Sequence, residues 1–454
     1  MQEQERSKML GTMPMNKLVP KVSVPMMLSM LVQALYSVVD GIFVARYSAD
    51  AFTAVSLVFP VQMLMIAVST GLGVGINSLV SRRLGEERGV DALDAALQGV
   101  FLELCGVVLF CLFGLFLGKT YMRLFTSDPA LQALGEEYLF IVTVYSLGLF
   151  MSVVFERLLQ ATGNTTLSMC TQLLGAVMNI ILDPIMIFGL LGCPAMGIGG
   201  AAIATVIGQF GGMFLGLVLN QTRNRELRLS LRGGFRPKGA VLSDILAVGL
   251  PSVVMQAISS LMTVLMNMIL LTFGNVAVNV LGAYSKLQSF IFMPVFGLSN
   301  GMVAIVGYNY GARLRERVYD AIRVALRMAV IIMAVGMLLF MAIPQVLLSL
   351  FESNGPSELT TVGCPALRII SLNFILAAVG ITLGTVFQAV GKGVYSLINS
   401  LCRQLVVLLP AAWILSKLGG LNAVWYSFPI AEVVSLAVCL LLYRRVDREM
   451  LKTL

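Results

Sequence analysis

The sequence predicts an all-α polytopic membrane protein: twelve transmembrane helices in two pseudo-symmetric six-helix bundles. Three observations predict it. Only 12% of the 454 residues are Asp, Glu, Lys or Arg, and 58% are hydrophobic, whereas a soluble domain carries about 25% charged residues. Long stretches hold no charge at all, among them 51–81, 184–222, 245–285 and 328–351. The two halves of the chain also match each other at a near-constant offset. So few charges cannot cover a water-soluble surface, and the mean hydropathy of +0.90 agrees. An outer-membrane barrel is excluded because its strands alternate apolar and polar residues, and these apolar runs are continuous.

A membrane helix needs about 20 apolar residues, so the longest runs hold two helices each. Gly192-Cys193-Pro194 breaks one run and Phe273-Gly274-Asn275 another. The spans then lie near 18–45, 52–80, 94–118, 135–160, 166–190, 197–220, 244–272, 280–310, 318–343, 362–390, 395–416 and 423–443. The first run is long and lacks a convincing A-x-A cleavage site, so it is kept as helix 1 and not read as a signal peptide.

Basic residues choose the orientation. Most of the 31 Lys and Arg fall on one side of these spans. They occupy the amino-terminal tail, the loop with Arg82, Arg83 and Arg88, the central segment from Arg223 to Lys238, the loop from Arg313 to Arg327, and the carboxyl tail. Both termini are therefore expected in the cytoplasm, with the chain multi-pass in the cytoplasmic (inner) membrane. The net charge of +8 reads as a topology signal and a contact with membrane lipids, not as a nucleic-acid surface.

The halves repeat. A shift of 226 residues aligns Pro25 with Pro251, Gly71 with Gly297, Gly75 with Gly301 and Gly85 with Gly311. A shift of 228 aligns Gln160-Ala161-x-Gly163 with Gln388-Ala389-x-Gly391. Both shifts are close to half the chain. An even number of helices per half makes the repeats parallel about an axis along the membrane normal. The expected division is an N-terminal lobe at 1–220, a polar Arg-rich linker at 221–243 and a C-terminal lobe at 244–454. Two bundles around a cleft form a transporter architecture, in which one rocks against the other.

Buried polar residues point to the chemistry. Asp40 in helix 1 and Asp183 in helix 5 are ionisable groups at membrane depth, costing roughly 2.5–3.5 kcal/mol on insertion scales. The plain reading is a structural ion pair or a helix end near the interface; the sharper one is a cation site. Asn179 and Asp183 are i, i+4 on one face, and Pro184 removes the partner of the Ile180 carbonyl. These oxygens suit Na⁺, or a proton on the carboxylate. Gln33, Tyr36 and Asp40 form a polar stripe on helix 1, expected to face the bundle interior. The second half lacks both acids: Asp40 maps to Met266 and Asp183 to Ala411. One coupling site in the N-terminal bundle is therefore expected.

Other polar positions carry weaker expectations. Glu103 lies in helix 3. Glu156 and Arg157 read as an interfacial anchor or cytoplasmic salt bridge. Lys286, Arg368, Arg403 and Glu432 are expected to balance one another within the C-terminal bundle. Gln256 in helix 7 is expected to face the cleft. There is no His and no C-x-x-C, so an enzyme is disfavoured and neither a metal centre nor a cofactor is expected. Of the seven Cys, Cys193 and Cys364 fall in or beside outer loops, where pairing is open. Nothing requires more than a monomer.

Several of these segments resemble one family. Tyr36-Ser-Val-Val-Asp40-Gly41 is similar to the first-helix motif of multidrug and toxic compound extrusion (MATE) transporters. Gln160-Ala-Thr-Gly163-Asn164-Thr165 and Asn179-Ile-Ile-Leu-Asp183-Pro184 resemble its helix 4–5 signature. Gly200-Ala-Ala-Ile-Ala-Thr205 resembles its helix 6 motif, and Gly307-Tyr-Asn309-Tyr-Gly311 the motif closing helix 8. The resemblance implies a V-shaped pair of six-helix lobes. It implies a secondary active antiporter that exports cationic or amphipathic small molecules in exchange for H⁺ or Na⁺. It implies a cation site at Asp40, Asn179, Asp183 and Thr205, with substrate contacts expected at Gln33, Tyr36, Asp40 and Gln256. Another branch of the family places acids in helices 7 and 10. Here helix 7 has Gln256 and the apolar run of helix 10 has no acid, so the N-lobe site is favoured. The competing reading is a lipid-linked saccharide flippase of the same superfamily, with Arg403 and Lys286 holding a pyrophosphate.

Overall fold

The computed structural model describes residues 7–229, 235–351 and 358–454. Side chains at 37, 38, 40, 41, 45 and 49 also lie outside the described residues, and the expected site residue Asp40 is among them. Twelve spans run through the described chain, counting two bent helices as one span each. They are α1 (Met15–Tyr47), α2 (Ala49–Gly85), α3 (Gly89–Phe125), α4 (Pro129–Val144 with Leu147–Ala161), α5 (Thr165–Phe188) and α6 (Gly197–Arg223). The second set is α7 (Gly239–Leu271), α8 (Asn275–Gly311), α9 (Arg315–Ala342), α10 (Glu358–Ser371 with Phe374–Ala389), α11 (Gly393–Leu418) and α12 (Gly420–Leu451). We call α1–α6 the N-lobe and α7–α12 the C-lobe.

Hydrocarbon offers no hydrogen-bond partners, so spans must satisfy their backbone internally and are helical. Local chemistry then sets their ends. The Ser48 hydroxyl accepts from Asp50 N (3.2 Å) and Ala51 N (3.4 Å) to open α2. Asp128 accepts from Ala130 N (2.9 Å) to open α4. Gly189 (φ 74°) closes α5 in the left-handed conformation, and Gly274 (φ 106°) separates α7 from α8. The expected break at 192–194 is a short 3₁₀ turn, Leu190–Gly192, followed by Cys193 and Pro194. No disulfide joins Cys193 to Cys364 or any other pair among the described residues.

Most spans outrun their expected lengths. α6 continues to Arg223 and α7 begins at Gly239, so the segment between them is 224–238 where 221–243 was expected; its residues 230–234 lie outside the described residues. The remainder is held against α3. Gln98 Nε2 donates to Arg236 O (2.7 Å), and Lys238 Nζ lies 3.2 Å from Asp94. Two helices expected to be continuous are bent, α4 by 41° and α10 by 49°.

The backbone repeats as closely as the sequence. Gly163 (φ 76°) and Gly391 (φ 86°) end α4 and α10 in the same conformation. Glu87 (φ 59°) and Arg313 (φ 56°), 226 residues apart, are both left-handed although neither is glycine. Asn164 and Lys392 open the following helices in both halves.

The lobes meet along a seam that obeys the same two-fold. A Cβ on Gly85 would collide with the Tyr308 carbonyl, and one on Gly311 with the Arg82 carbonyl. A Cβ on Gly71 would lie 2.8 Å from Val253 N, and one on Gly297 2.6 Å from Met27 N. Each contact converts into its mate by the 226-residue shift. Small residues allow helix backbones to approach this closely, which is how membrane helices gain packing energy. A side chain crosses the same seam: Ser78 Oγ donates to Gln388 O (2.6 Å), and within the C-lobe Gln388 Nε2 donates to Ser252 Oγ (3.3 Å). These contacts lie toward the arginine-rich end, so that end is closed.

Overpacking costs about 1–3 kcal/mol. Gly85→Leu and Gly311→Leu should therefore each reduce the closed population by about tenfold or more. Spin-label distances between the ends of α2 and α8 should lengthen; unchanged distances would show that the glycine contacts do not hold this end shut.

Candidate cation site

The site begins with the approach of α5 to α6. A Cβ on Gly208 would lie 2.7 Å from Gly175 O, and one on Gly175 3.0 Å from Gly208 O. One turn along α5 from Gly175, this contact brings Asn179 against Thr205. Asn179 Nδ2 donates to Thr205 Oγ1 (3.2 Å) and to Asp183 Oδ1 (3.3 Å). Asn179 and Asp183 are buried, and Thr205 nearly so at 7% exposure. Asn179 Oδ1 is buried and accepts no hydrogen bond among the described residues. A carboxylate and a hydroxyl are thus bridged by one buried amide, whose own oxygen has acceptor capacity left over. That donor set fits Na⁺ or a carboxyl-bound proton, as half-helix and side-chain oxygens do in transporter cores.

Three of the four expected cation residues, Asn179, Asp183 and Thr205, are brought together. Asp40 lies on α1, which packs along α5; its side chain is outside the described residues. On the same helix Gln33 is exposed and Tyr36 half-buried. Gln256 is placed elsewhere: its Nε2 donates across the seam to Thr70 Oγ1 (2.9 Å) and weakly to Ala67 O (3.4 Å).

The C-lobe fills the matching place differently. The 228-residue shift carries Gly175 to Arg403, and Ala204, beside Thr205, to Glu432. Arg403 Nη1 lies 3.7 Å from Glu432 Oε2. Arg403 sits in a π-helical turn, Cys402–Leu408, where α5 is regular. The C-lobe thus carries its own cation, a guanidinium, where the N-lobe offers oxygens. The expected four-way balance holds only for this pair. Lys286 lies over the Phe351 ring (5.9 Å), and Arg368 Nε donates to Met341 O (3.3 Å).

The structure also corrects the reading of Glu156 and Arg157. Both are buried, not interfacial. Glu156 accepts from Gln172 Nε2 (2.6 Å) and Thr171 Oγ1 (3.5 Å), and the Ser29 hydroxyl donates to Gln172. Arg157 Nη1 donates to Gln160 Oε1 (2.9 Å) and, across the seam, to Asn300 Oδ1 (3.0 Å). Sequence distance hid the Asn300 contact.

A family model described as MatE matches residues 25–185 and 251–414, most of the chain and one block in each lobe. The chain belongs to the MATE family. It is a multi-pass membrane protein of a family of transporters. It is 26% identical over 415 residues to the multidrug export protein MepA of Staphylococcus haemolyticus, covering 91% of this chain and 89% of that one. It is 28% identical over 433 residues to the probable multidrug resistance protein NorM of Thermotoga maritima, covering 93% and 90%. A solved outward-facing multidrug resistance MATE transporter superposes with a TM-score of 0.92 at 28% identity, covering the whole of both chains.

Two expectations follow for this MATE protein. Gly208→Val should push α6 from α5 and part Thr205 from Asn179; any rise in Tm given by saturating Na⁺ or by acid should fall by more than half, and an unaltered rise would place the cation elsewhere. Arg403→Met should destabilise the protein by about 3 kcal/mol by stranding Glu432, and adding Glu432→Met should recover most of it in a thermal melt.

Proposed function

We propose that the protein is a secondary active antiporter of the cytoplasmic membrane, with both termini inside, that exports cationic or amphipathic small molecules in exchange for inward H⁺ or Na⁺. The observation that carries this reading is the Asn179–Asp183–Thr205 cluster, a buried set of cation-seeking oxygens in one lobe with an acceptor to spare. The relatives named for multidrug export support the substrate class. Likeness to an outward-facing transporter supports an inside end that is the closed, arginine-rich one.

In this reading the ion enters the N-lobe from outside and is held by Asp183, Asn179 and Thr205, with Asp40 as the fourth group. Two neighbouring acids share charge as a coupled pair. Neutralising them removes a reason for α1 to keep its substrate-bound shape, and the prolines at 20 and 25 give that helix places to bend. Bending would withdraw Gln33 and Tyr36 from a bound drug. The ion drives this only by binding the two shapes with different affinity. Holding N-lobe, linker and C-lobe as units that rock about the seam belongs to the same proposal, and no second copy is needed.

The flippase reading loses support, because Arg403 is engaged by Glu432 and Lys286 lies against Phe351. Efflux of a fluorescent organic cation from cells tests the antiport reading. Asp183→Asn and Asp40→Asn, matched for membrane expression, should each cut the export rate by at least tenfold. Normal export by both variants would refute it.

A further inference from the structure

Outside the cation site, the N-lobe buries further ionisable groups that the proposed mechanism does not use, and Glu103 is the most deeply buried of them. Glu103, on α3, is 0% exposed. The Ser69 hydroxyl of α2 and the Arg157 guanidinium of α4 face its carboxyl. Gly73 makes room for the arginine, since a Cβ there would lie 3.1 Å from Arg157 Nε. Yet Glu103 Oε1 and Oε2, Ser69 Oγ and Arg157 Nε all lack a hydrogen-bond partner among the described residues. The arginine spends its Nη1 on Gln160 and on Asn300 of the opposite lobe.

A buried carboxylate beside a guanidinium does not leave both oxygens unmet, because burial of an unpaired charge is far costlier than pairing it. A carboxyl placed in this way is held at less cost neutral than charged. The charged groups facing this pocket are few. Glu156 faces the other side of Arg157 and is held by Gln172 and Thr171. Other acids on α3 and on the segments packed against it are engaged elsewhere: Asp91 with Arg88, Asp94 with Lys238, Asp244 near Arg83, Glu226 with Ser7 N, and Glu137 against Gly199. Ser69, Gly73 and Asn300 are neutral. Ionisation of Glu103 therefore has one cationic partner available, Arg157, beside the neutral Ser69 hydroxyl.

We propose that Glu103 is a second proton-binding site and that its proton latches the lobes. With the proton on, Arg157 reaches across the seam to Asn300 and the arginine-rich end stays closed. When that end opens, water reaches the carboxyl, the proton passes to it, and Arg157 turns from Asn300 to the carboxylate. By linkage, acid favours the closed end and alkali the open one. The inference rests on the rocking-lobe reading but not on the Asp40–Asp183 site.

The test uses the full chain in nanodiscs. Spin labels on the arginine-rich ends of α2 and α8 report opening against pH, and infrared pH-difference spectra report the carboxylic acid. Wild type and Asp183→Asn should both open as pH rises. Glu103→Gln should stay closed at every pH and lose one carboxylic-acid band. Asn300→Ala should raise the open fraction several-fold at acid pH while keeping the band. PH-dependent opening that survives Glu103→Gln, or an unchanged carboxylic-acid spectrum in that variant, would overturn the proposal. Loss of opening in Asp183→Asn alone would instead assign the pH response to the cation site and overturn the latch. Failure of the antiport reading would appear as normal drug export by the Asp40 and Asp183 variants, an independent outcome.

Discussion

The close contact of Gly175 with Gly208 is the constraint on which the rest depends. An acid in hydrocarbon must find compensation nearby, and helix backbones carry no spare donors to give it. Drawing α5 and α6 to within a carbonyl's width lets Asn179 bridge from Asp183 to Thr205. The amide satisfies part of the carboxylate with its Nδ2 and leaves its own buried oxygen without a donor among the described residues. Satisfaction is deliberately incomplete, and incompleteness is what a binding site for a small cation requires. Were the helices a methyl group further apart, Asp183 would be only a cost.

Against that asymmetric chemistry stands a symmetric scaffold. Two pairs of glycine contacts along the seam repeat under a 226-residue shift, as do the left-handed backbones of Glu87 and Arg313. A two-fold seam lets two lobes pivot without either being strained more than the other. The chemistry departs from symmetry most plainly where α5 and α11 correspond. Where the N-lobe has Gly175 and a pocket of oxygens, the C-lobe has Arg403 within a π-helical turn and Glu432 to neutralise it. One lobe is left with buried oxygens unmatched by a cation, and the other is internally balanced.

Much of this was legible in the sequence, for physical reasons. Charge-free runs and glycine breaks mark spans because hydrocarbon forbids charge and tight turns need glycine, so twelve spans and the breaks at Gly192 and Gly274 followed. The pairing of Asn179 with Asp183 followed from helical spacing. Helix ends were short by several residues, because α6 and α7 continue past the apolar run into polar sequence. The bends in α4 and α10 fall at Tyr145–Ser146 and Leu372–Asn373, where neither Pro nor Gly signals them. Long-range side-chain contacts were invisible. Arg157 sits beside Glu156 in sequence yet reaches Asn300 in space, and Gln256 faces Thr70 and not the Asn179 cluster. Pairing of Arg403 with Glu432 was legible as composition, since opposite charges in one bundle must balance, but its partition from Lys286 and Arg368 was not.

The central claim is that a cation bound in the N-lobe powers expulsion. Transport of an organic cation into or out of proteoliposomes, with pH and Na⁺ gradients imposed one at a time, tests it most directly. The account predicts accumulation against the organic cation's own gradient under at least one of the two, abolished when that gradient is collapsed. Downhill movement at the same rate with neither gradient, with one or with both would contradict it.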